Sequence, residues 1–368
     1  MQSAIAIVNR AAEQALALVE IWALIAERSG FVGAWRLTAV CRASRTGVKW
    51  WLGSLPGFLI CGGSHGSGAV NDVWQLDLAT LRWEPMPALV TARYGLSCCT
   101  VRGALIILGE ECFEGPTSTV EILLSGEGRA FNDLALLSCG TIEDAATVVV
   151  EESDSAAGQV LLIGGMAVVD GAGTEMSTVY LVDLATGICT PQPALLDSRV
   201  FFAAARIPDG RVVCAGGLGS ASLTSVEVFG PSTSGTSNAD WTWTRLPAMS
   251  TGRYNCCGCV MSDGRFAVLG GTTHEGDESE SDLVHVTESC EVLTLGDHGA
   301  YWEPLPDMHY QREGFACVAV AECIIVVGGH STAVTEVYDE KLKCWFILSN
   351  ECNLPNEDRL ASMGSALW

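Results

Sequence analysis

The chain has 368 residues, with 20 Lys and Arg against 43 Asp and Glu and a formal net charge of −23. That length supports a large core plus a small appendage. The acidity repels phosphate backbones and anionic lipid surfaces, which excludes nucleic acid and membrane as expected partners and favours a protein or peptide partner of basic character.

The charge is unevenly spread. Residues 1–56 carry six basic and three acidic side chains, while residues 57–368 carry fourteen and forty, giving local charges of +3 and −26. Two units are therefore expected, with a boundary at 56. The sixteen cysteines lie mostly in apolar runs, as at Cys98, Cys214, Cys317 and Cys323. They read as small core residues in a reducing compartment, cytoplasm or nucleus, rather than as disulfide staples. The start of the chain lacks a basic leader, and no apolar stretch is long enough to span a bilayer.

Residues 11–28 place Ala11, Ala15, Leu18, Val19, Trp22 and Ile25 at spacings of three and four, one face of a helix that Ser29-Gly30 ends. A second helical stretch is expected over 31–45, with Trp35, Leu37, Val40 and Cys41, before Trp50-Trp51 and a Gly-Ser-Leu-Pro linker at 53–56. So short a unit cannot bury both helix faces by itself. The face carrying Leu18, Trp22 and Ile25 is left to pack on the rest of the chain or on another protein. Val40-Cys41-Arg42-Ala-Ser-Arg45, preceded by Leu18-Val-Glu-Ile-Trp-Ala-Leu-Ile25, resembles the F-box over about residues 15–52. The family's opening Leu-Pro pair is absent, and Ser44 stands where many members carry tryptophan. The resemblance implies docking on a Skp-type adaptor through Leu18, Ile21, Trp22, Ile25, Val40, Cys41 and Arg42.

From residue 57 onward the sequence repeats. Apolar runs end in paired glycines at Gly62-Gly63, Gly164-Gly165, Gly216-Gly217, Gly270-Gly271 and Gly328-Gly329, with a degenerate sixth at Gly109-Glu110. The first glycines are spaced 47 to 58 residues apart, too far for leucine-rich or tetratricopeptide units. A polar loop and an alternating strand follow each pair, as in Val73-Trp-Gln-Leu-Asp-Leu78. Trp83, Trp243 and Trp302 then open strands that lead to Arg93, Arg253 and Arg312. These features resemble the kelch repeat, which implies four-stranded antiparallel blades around an axis.

Small residues five positions beyond the arginines, Cys98, Ala204, Gly258, Cys317 and Gly364 (counting Arg199 and Arg359), fit a strand where space tapers. The paired glycines read as structural, allowing positive φ and close backbone approach. The first unit begins at Gly57 without an arginine strand, and residues 359–368 supply one. The expected fold is an all-β, six-bladed propeller closed by a C-terminal strand in blade one, with a small helical segment before it. Blade two, about 93–138, is the least regular. Residues 151–158, 231–240 and 274–282 read as polar loops.

No catalytic constellation emerges. His65 and His330 follow the glycines of neighbouring blades, but two nitrogen ligands make a poor metal site. Cys256, Cys257 and Cys259 lack a second ligand pair and read as core. Residues 275–282 lack the glycine and terminal glutamate of a calcium loop. No cofactor is expected. Kelch relatives bind proteins on the rim made by the post-glycine loops and the turns before the inner strands. On this chain that rim would hold His65, Tyr94, Met166, Phe201, Leu218, Tyr254, His274, Tyr310 and His330. The reading is a non-catalytic interaction module. It would be the substrate receptor of a Skp-cullin-F-box ubiquitin ligase, or alternatively a stand-alone scaffold with structural N-terminal helices.

Overall fold

The computed structural model describes residues 18–65, 68–109, 111–112, 115–116, 118–124, 130–150, 157–169, 172–231, 241–275, 283–296, 299–330, 332–348, 352–354 and 360–368. Ala11, Ala15, Arg359 and most of the loops expected at 151–158, 231–240 and 274–282 lie outside them.

Six four-stranded antiparallel sheets form a β-propeller. The strands nearest the axis are Gly364–Leu367, Ser97–Val101, Ala146–Val150, Ala203–Arg206, Cys257–Val260 and Ala316–Val320 for blades one to six. The second strands Phe58–Cys61, Val212–Ala215 and Cys323–Val327 are buried at every position. Each lies inside its own sheet with another blade on either face, which is why they read as unbroken apolar runs rather than as alternating strands. The chain's last strand closes the ring, pairing Cys61 with Gly364 and Phe58 with Leu367. Blade two also has four strands, ending at Asn132–Leu136, and carries the expected irregularity as a register shift between Val120 and Glu121 where its third strand pairs with its outer one. Four post-glycine segments fold into two-stranded hairpins rather than open loops, among them Ser64–His65 with Gly68–Ala69 and Met166–Val169 with Ala172–Glu175.

The repeat arginines share one geometry. Arg199 donates to the Gly216 carbonyl at 2.7 Å and to Glu227 at 2.6 Å. Glu227 also accepts from the backbone amides of Leu196 and Asp197. Arg93 meets Glu121, Arg253 meets Glu291 and Arg312 meets Glu336 in the same way, all of them buried. The carboxylate thus clamps the turn that precedes each inner strand, while the arginine satisfies the glycine carbonyl behind it. Strand pairing shows which blades lack this clamp. In the five blades with a glycine pair, the second glycine donates its N–H to the carbonyl at the next blade's arginine position, as from Gly63 to Arg93, Gly165 to Arg199, and Gly329 to Leu360. Leu360, not Arg359, therefore holds the arginine position of blade one, and Ser365 rather than Gly364 matches Cys98. In blade three the position falls on Ile142, four residues before the inner strand. The glutamate positions of these two blades, opposite Ile60 and Leu162, are Trp74 and Tyr180. Both members of the ion pair are replaced together, as the cost of an unpartnered buried charge requires.

The glycine pairs are needed where blades meet. A Cβ on Gly216, at φ 69°, would lie 2.5 Å from the Arg253 carbonyl oxygen. At the periphery, the indole N–H groups of Trp83, Trp243, Trp302 and Trp345 donate to carbonyls of Cys352, Pro193, Pro247 and Pro306, each leading out of the preceding blade.

Helix α1 (Val19–Leu37) is interrupted at Gly30, whose φ of 69° and ψ of 176° are non-helical, and α2 runs Arg42–Leu52. The expected helix over 31–45 is thus divided differently. Its first part continues α1 and its last part opens α2, with Val40 and Cys41 in the break. Cys41 and Ser44 form a reciprocal capping box, each side chain accepting from the other's amide. The two helices cross closely because Gly47 sits against Trp22. They pack on the face opposite the glycine turns, at blades six and one. Ala26, Phe31, Ala34, Val48 and Leu52 join Phe58, Leu76, Val320 and Cys323 in one core. The Phe31 amide donates to Ala321, Lys341 donates to the Arg28 carbonyl, and Arg36 lies over the Phe346 ring. Burying Phe31 alone is worth on the order of 2 kcal/mol. Among the described residues, no helix is long and apolar enough to cross a membrane. The fifteen cysteines whose side chains are described are free thiols.

Candidate functional site

The rim expected to bind a partner is built where second strands end in glycine and inner strands begin. The residue after each glycine pair is tied by backbone hydrogen bonds to the residue three before the inner strand. These ties join Ser64 with Ala361, Met166 with Glu143, Leu218 with Val200, and Thr272 with Tyr254. They turn a set of loops into a rigid face.

The structure brings several expected rim residues onto that face with different degrees of exposure. His65, His274, Tyr310 and His330 are exposed, while Tyr94, Met166, Phe201, Leu218 and Tyr254 are half-buried. Tyr254 and His274 stack with centroids 5.5 Å apart. Partial burial, reinforced by the Glu313 charge, pushes the Tyr254 phenol above its ordinary value. Glu313 accepts a hydrogen bond from the Thr272 hydroxyl, so tyrosine, histidine, threonine and glutamate form one cluster across the junction of blades five and six. Met166 instead lies over Gly173 of its own hairpin. Among the described residues, no group of three or more His, Cys, Asp or Glu side chains is arranged to hold a metal ion.

On the helical segment, Leu18 and Val40 are exposed at 51% and 59%, and Cys41 and Arg42 are exposed as well. Ile21 and Ile25 are half-buried. Trp22 is a correction to the expected adaptor surface. It is buried where α1 crosses α2, because the facing residue is a glycine that lets the ring in. Leu24 and Trp50 are apolar side chains of the same segment exposed at 59% and 61%.

Sequence reasoning missed the mouth of the central channel. Two residues before each inner strand stand Gly95, Asp144, Phe201, Asn255, Gly314 and Ser362, and all six have φ between 49° and 68°. Side chains rarely adopt this left-handed region, and Phe201 pays most for it. The conformation lets the amide of one blade reach back to the carbonyl of another. Asn255 donates to Phe201 at 2.9 Å, Gly314 to Asn255 at 3.0 Å, Ser362 to Gly314 at 2.7 Å and Gly95 to Ser362 at 2.9 Å. Inside this belt a cavity of about 330 Å³ is lined by all six inner strands or the turns before them. Asp144 and Asn255, two residue types that tolerate the left-handed region, were the available signal at otherwise unrelated turns.

Among the described residues, acidic side chains outnumber exposed basic ones in the rim loops, while both signs occur on the opposite face. In the described rim loops the Lys and Arg residues are Arg93, Arg199, Arg253 and Arg312, all buried against glutamates. The same loops hold Asp72, Glu143, Asp144, Glu175, Glu288, Asp307 and Glu313. Asp197 is held to about 2 by the Arg245 guanidinium, which grips both its oxygens. Arg82, Arg102, Arg206, Arg211, Arg265, Lys341 and Lys343 lie on or beside turns of the opposite face, together with Asp77, Asp183, Asp209, Asp263, Glu322, Asp339 and Glu340. Two of them, Arg102 and Arg206, line the far end of the channel.

No family model matches the chain, and no curated protein matches it. Among solved structures, the structure of YjhT is similar with a TM-score of 0.60 and 12% identity, covering 80% of this chain and 98% of that one. At this identity the likeness shows the propeller fold alone.

Proposed function

We propose that this protein is a non-catalytic interaction module whose rim binds a protein or peptide client. The observation that carries the reading is the rim itself, a rigid face presenting Tyr254, His274, Tyr310, His65 and His330 within an acidic field. Aromatic side chains with few rotatable bonds make good anchors, and the field selects for basic partners. No arrangement of nucleophile, base and orienting group has been identified among these residues, so the action we infer is binding.

The finer reading is that of a substrate receptor in a Skp-cullin-F-box ubiquitin ligase, working in the cytoplasm or nucleus. The F-box resemblance and the exposed apolar residues Leu18, Leu24, Val40 and Trp50 support it. Holding a client beside a transferring enzyme raises its effective concentration without chemistry by this chain. The second reading, a stand-alone scaffold, is favoured by the burial of Trp22, Phe31, Ala34 and Leu52 against each other and the propeller. A pull-down with a Skp-type adaptor separates the two, using the intact chain beside Leu18→Asp with Val40→Asp. Both substituted positions are exposed, so the fold survives. Capture by the intact chain and loss in the variant supports the receptor. No capture by the folded intact chain leaves the scaffold.

A further inference from the structure

The rim end of the channel is a built pocket, and its chemistry is one-sided. Asp144 is the single charged residue among those described that line it, and Asn255, Ser97 and Ser362 add polar side chains. Phe201 and Phe202 form an apolar and aromatic wall. Belt hydrogen bonds hold Phe201, Asn255 and Ser362 in the left-handed conformation, so the mouth is set before any ligand arrives. Conformations that cost energy at several equivalent positions persist only where the surroundings enforce them, and they mark sites worth testing for function. Arg102 and Arg206 stand at the opposite end of the channel. A mouth whose one charged side chain is a carboxylate favours a cation. A volume of about 330 Å³ is at the small end of ligand pockets, about 300 Å³, which suits one long side chain rather than a folded surface.

We propose that this mouth receives a single arginine or lysine side chain of an extended client segment, with Asp144 as the counter-charge, Asn255 and Ser362 as acceptors, and the Phe201 ring as a surface for the cation. The proposal rests on the reading that the rim binds a protein client, and names the chemistry that client brings. Guanidinium is the better fit of the two, because it stacks on aromatic rings and donates to several acceptors at once.

The test is a fluorescence-anisotropy titration of the full chain with a labelled nonapeptide carrying three arginines spaced by glycine and alanine. The same peptide with citrulline at those positions keeps the shape and removes the charge. Asp144→Asn keeps a residue that tolerates the left-handed region and removes the carboxylate. Asp133→Asn, exposed on the outer strand of blade two, removes the same charge away from the mouth. The arginine peptide is expected to bind more tightly than the citrulline peptide and to lose about tenfold in affinity with Asp144→Asn, the scale of one charge-assisted contact. Asp133→Asn is expected to leave affinity within about twofold, the scale of a rim or surface charge. Equal losses in the two variants would reduce the effect to general attraction and overturn the pocket. Affinity that falls with Tyr310→Ala but not with Asp144→Asn keeps the rim as the binding surface and removes the channel from it. Failure of the arginine peptide to bind overturns the pocket as well.

Discussion

Arg199 and Glu227 meet at 2.6 Å with both side chains sealed from water. Removing the carboxylate with Glu227→Ala strands the guanidinium and frees the turn at Leu196 and Asp197. A loss of about 3–5 kcal/mol is expected, the cost of leaving a buried charge alone. Blades one and three show the compensated alternative, an aliphatic side chain facing an aromatic one. Combining Arg199→Ile with Glu227→Tyr is therefore expected to recover most of that loss in urea denaturation. A double variant no more stable than the single one would contradict the interchange.

Phe31 anchors the helical segment to blades six and one. Phe31→Ala is expected to cost about 3–5 kcal/mol and to open the 53–56 linker to protease. Trp50→Ser, on the exposed side of α2, should change stability by no more than about 0.5 kcal/mol. Equal protease sensitivity in the two variants would mean that the helices are not docked through Phe31.

The taper at the axis can be overfilled. A Cβ on Gly258 would lie 2.7 Å from that of Ala203 and 2.9 Å from the Phe266 ring. Gly258→Val is expected to lower stability by about 1–3 kcal/mol, read as a lower thermal midpoint. No change would show that the inner strands are looser than these distances require.

Acid should weaken the fold partly through Asp197. Its carboxyl titrates at about 2 when folded because Arg245 holds the charged form. Unfolded, it titrates near 4. A depressed value stabilises above the unfolded pKa and is lost as pH falls through the folded one. The stability gap between parent and Asp197→Asn is therefore expected to be full at pH 6 and to close between about pH 4 and 2. A gap independent of pH would show that the charge itself contributes nothing.

Much of the propeller was legible because its requirements are local. Only glycine fits where one blade's turn meets another's backbone, and the buried arginines recur beside the same turns. The glutamates were less visible, since a carboxylate inside a strand gives no sequence sign that it is buried. Arg359 looked like a repeat arginine, yet strand register, set by pairing with Phe58–Cys61, puts Leu360 there. The break at Gly30 was legible from the glycine itself, whereas the second break before Arg42 was not, because its cap is a cysteine paired with Ser44 rather than a usual capping residue. The channel mouth was illegible for a sharper reason. Phe201 adopts a conformation that its own chemistry disfavours, and only the assembled ring enforces it.

The ties around the ring also predict how it would fail under mechanical load. Adjacent blades are linked near the axis by the amide belt, at the periphery by tryptophan clasps, or by both. The junction of blades two and three, among the described residues, has neither: the belt skips from Gly95 to Phe201, and Trp243 is the first clasp after Trp83. That junction is tied instead by Ser97 donating to the Ala145 carbonyl, and by Ser138 donating to Gly187 and accepting from the Cys189 amide. Under load the circle is therefore expected to depend there on side chains, with only blade two between it and the seam where the two ends of the propeller chain are sewn together.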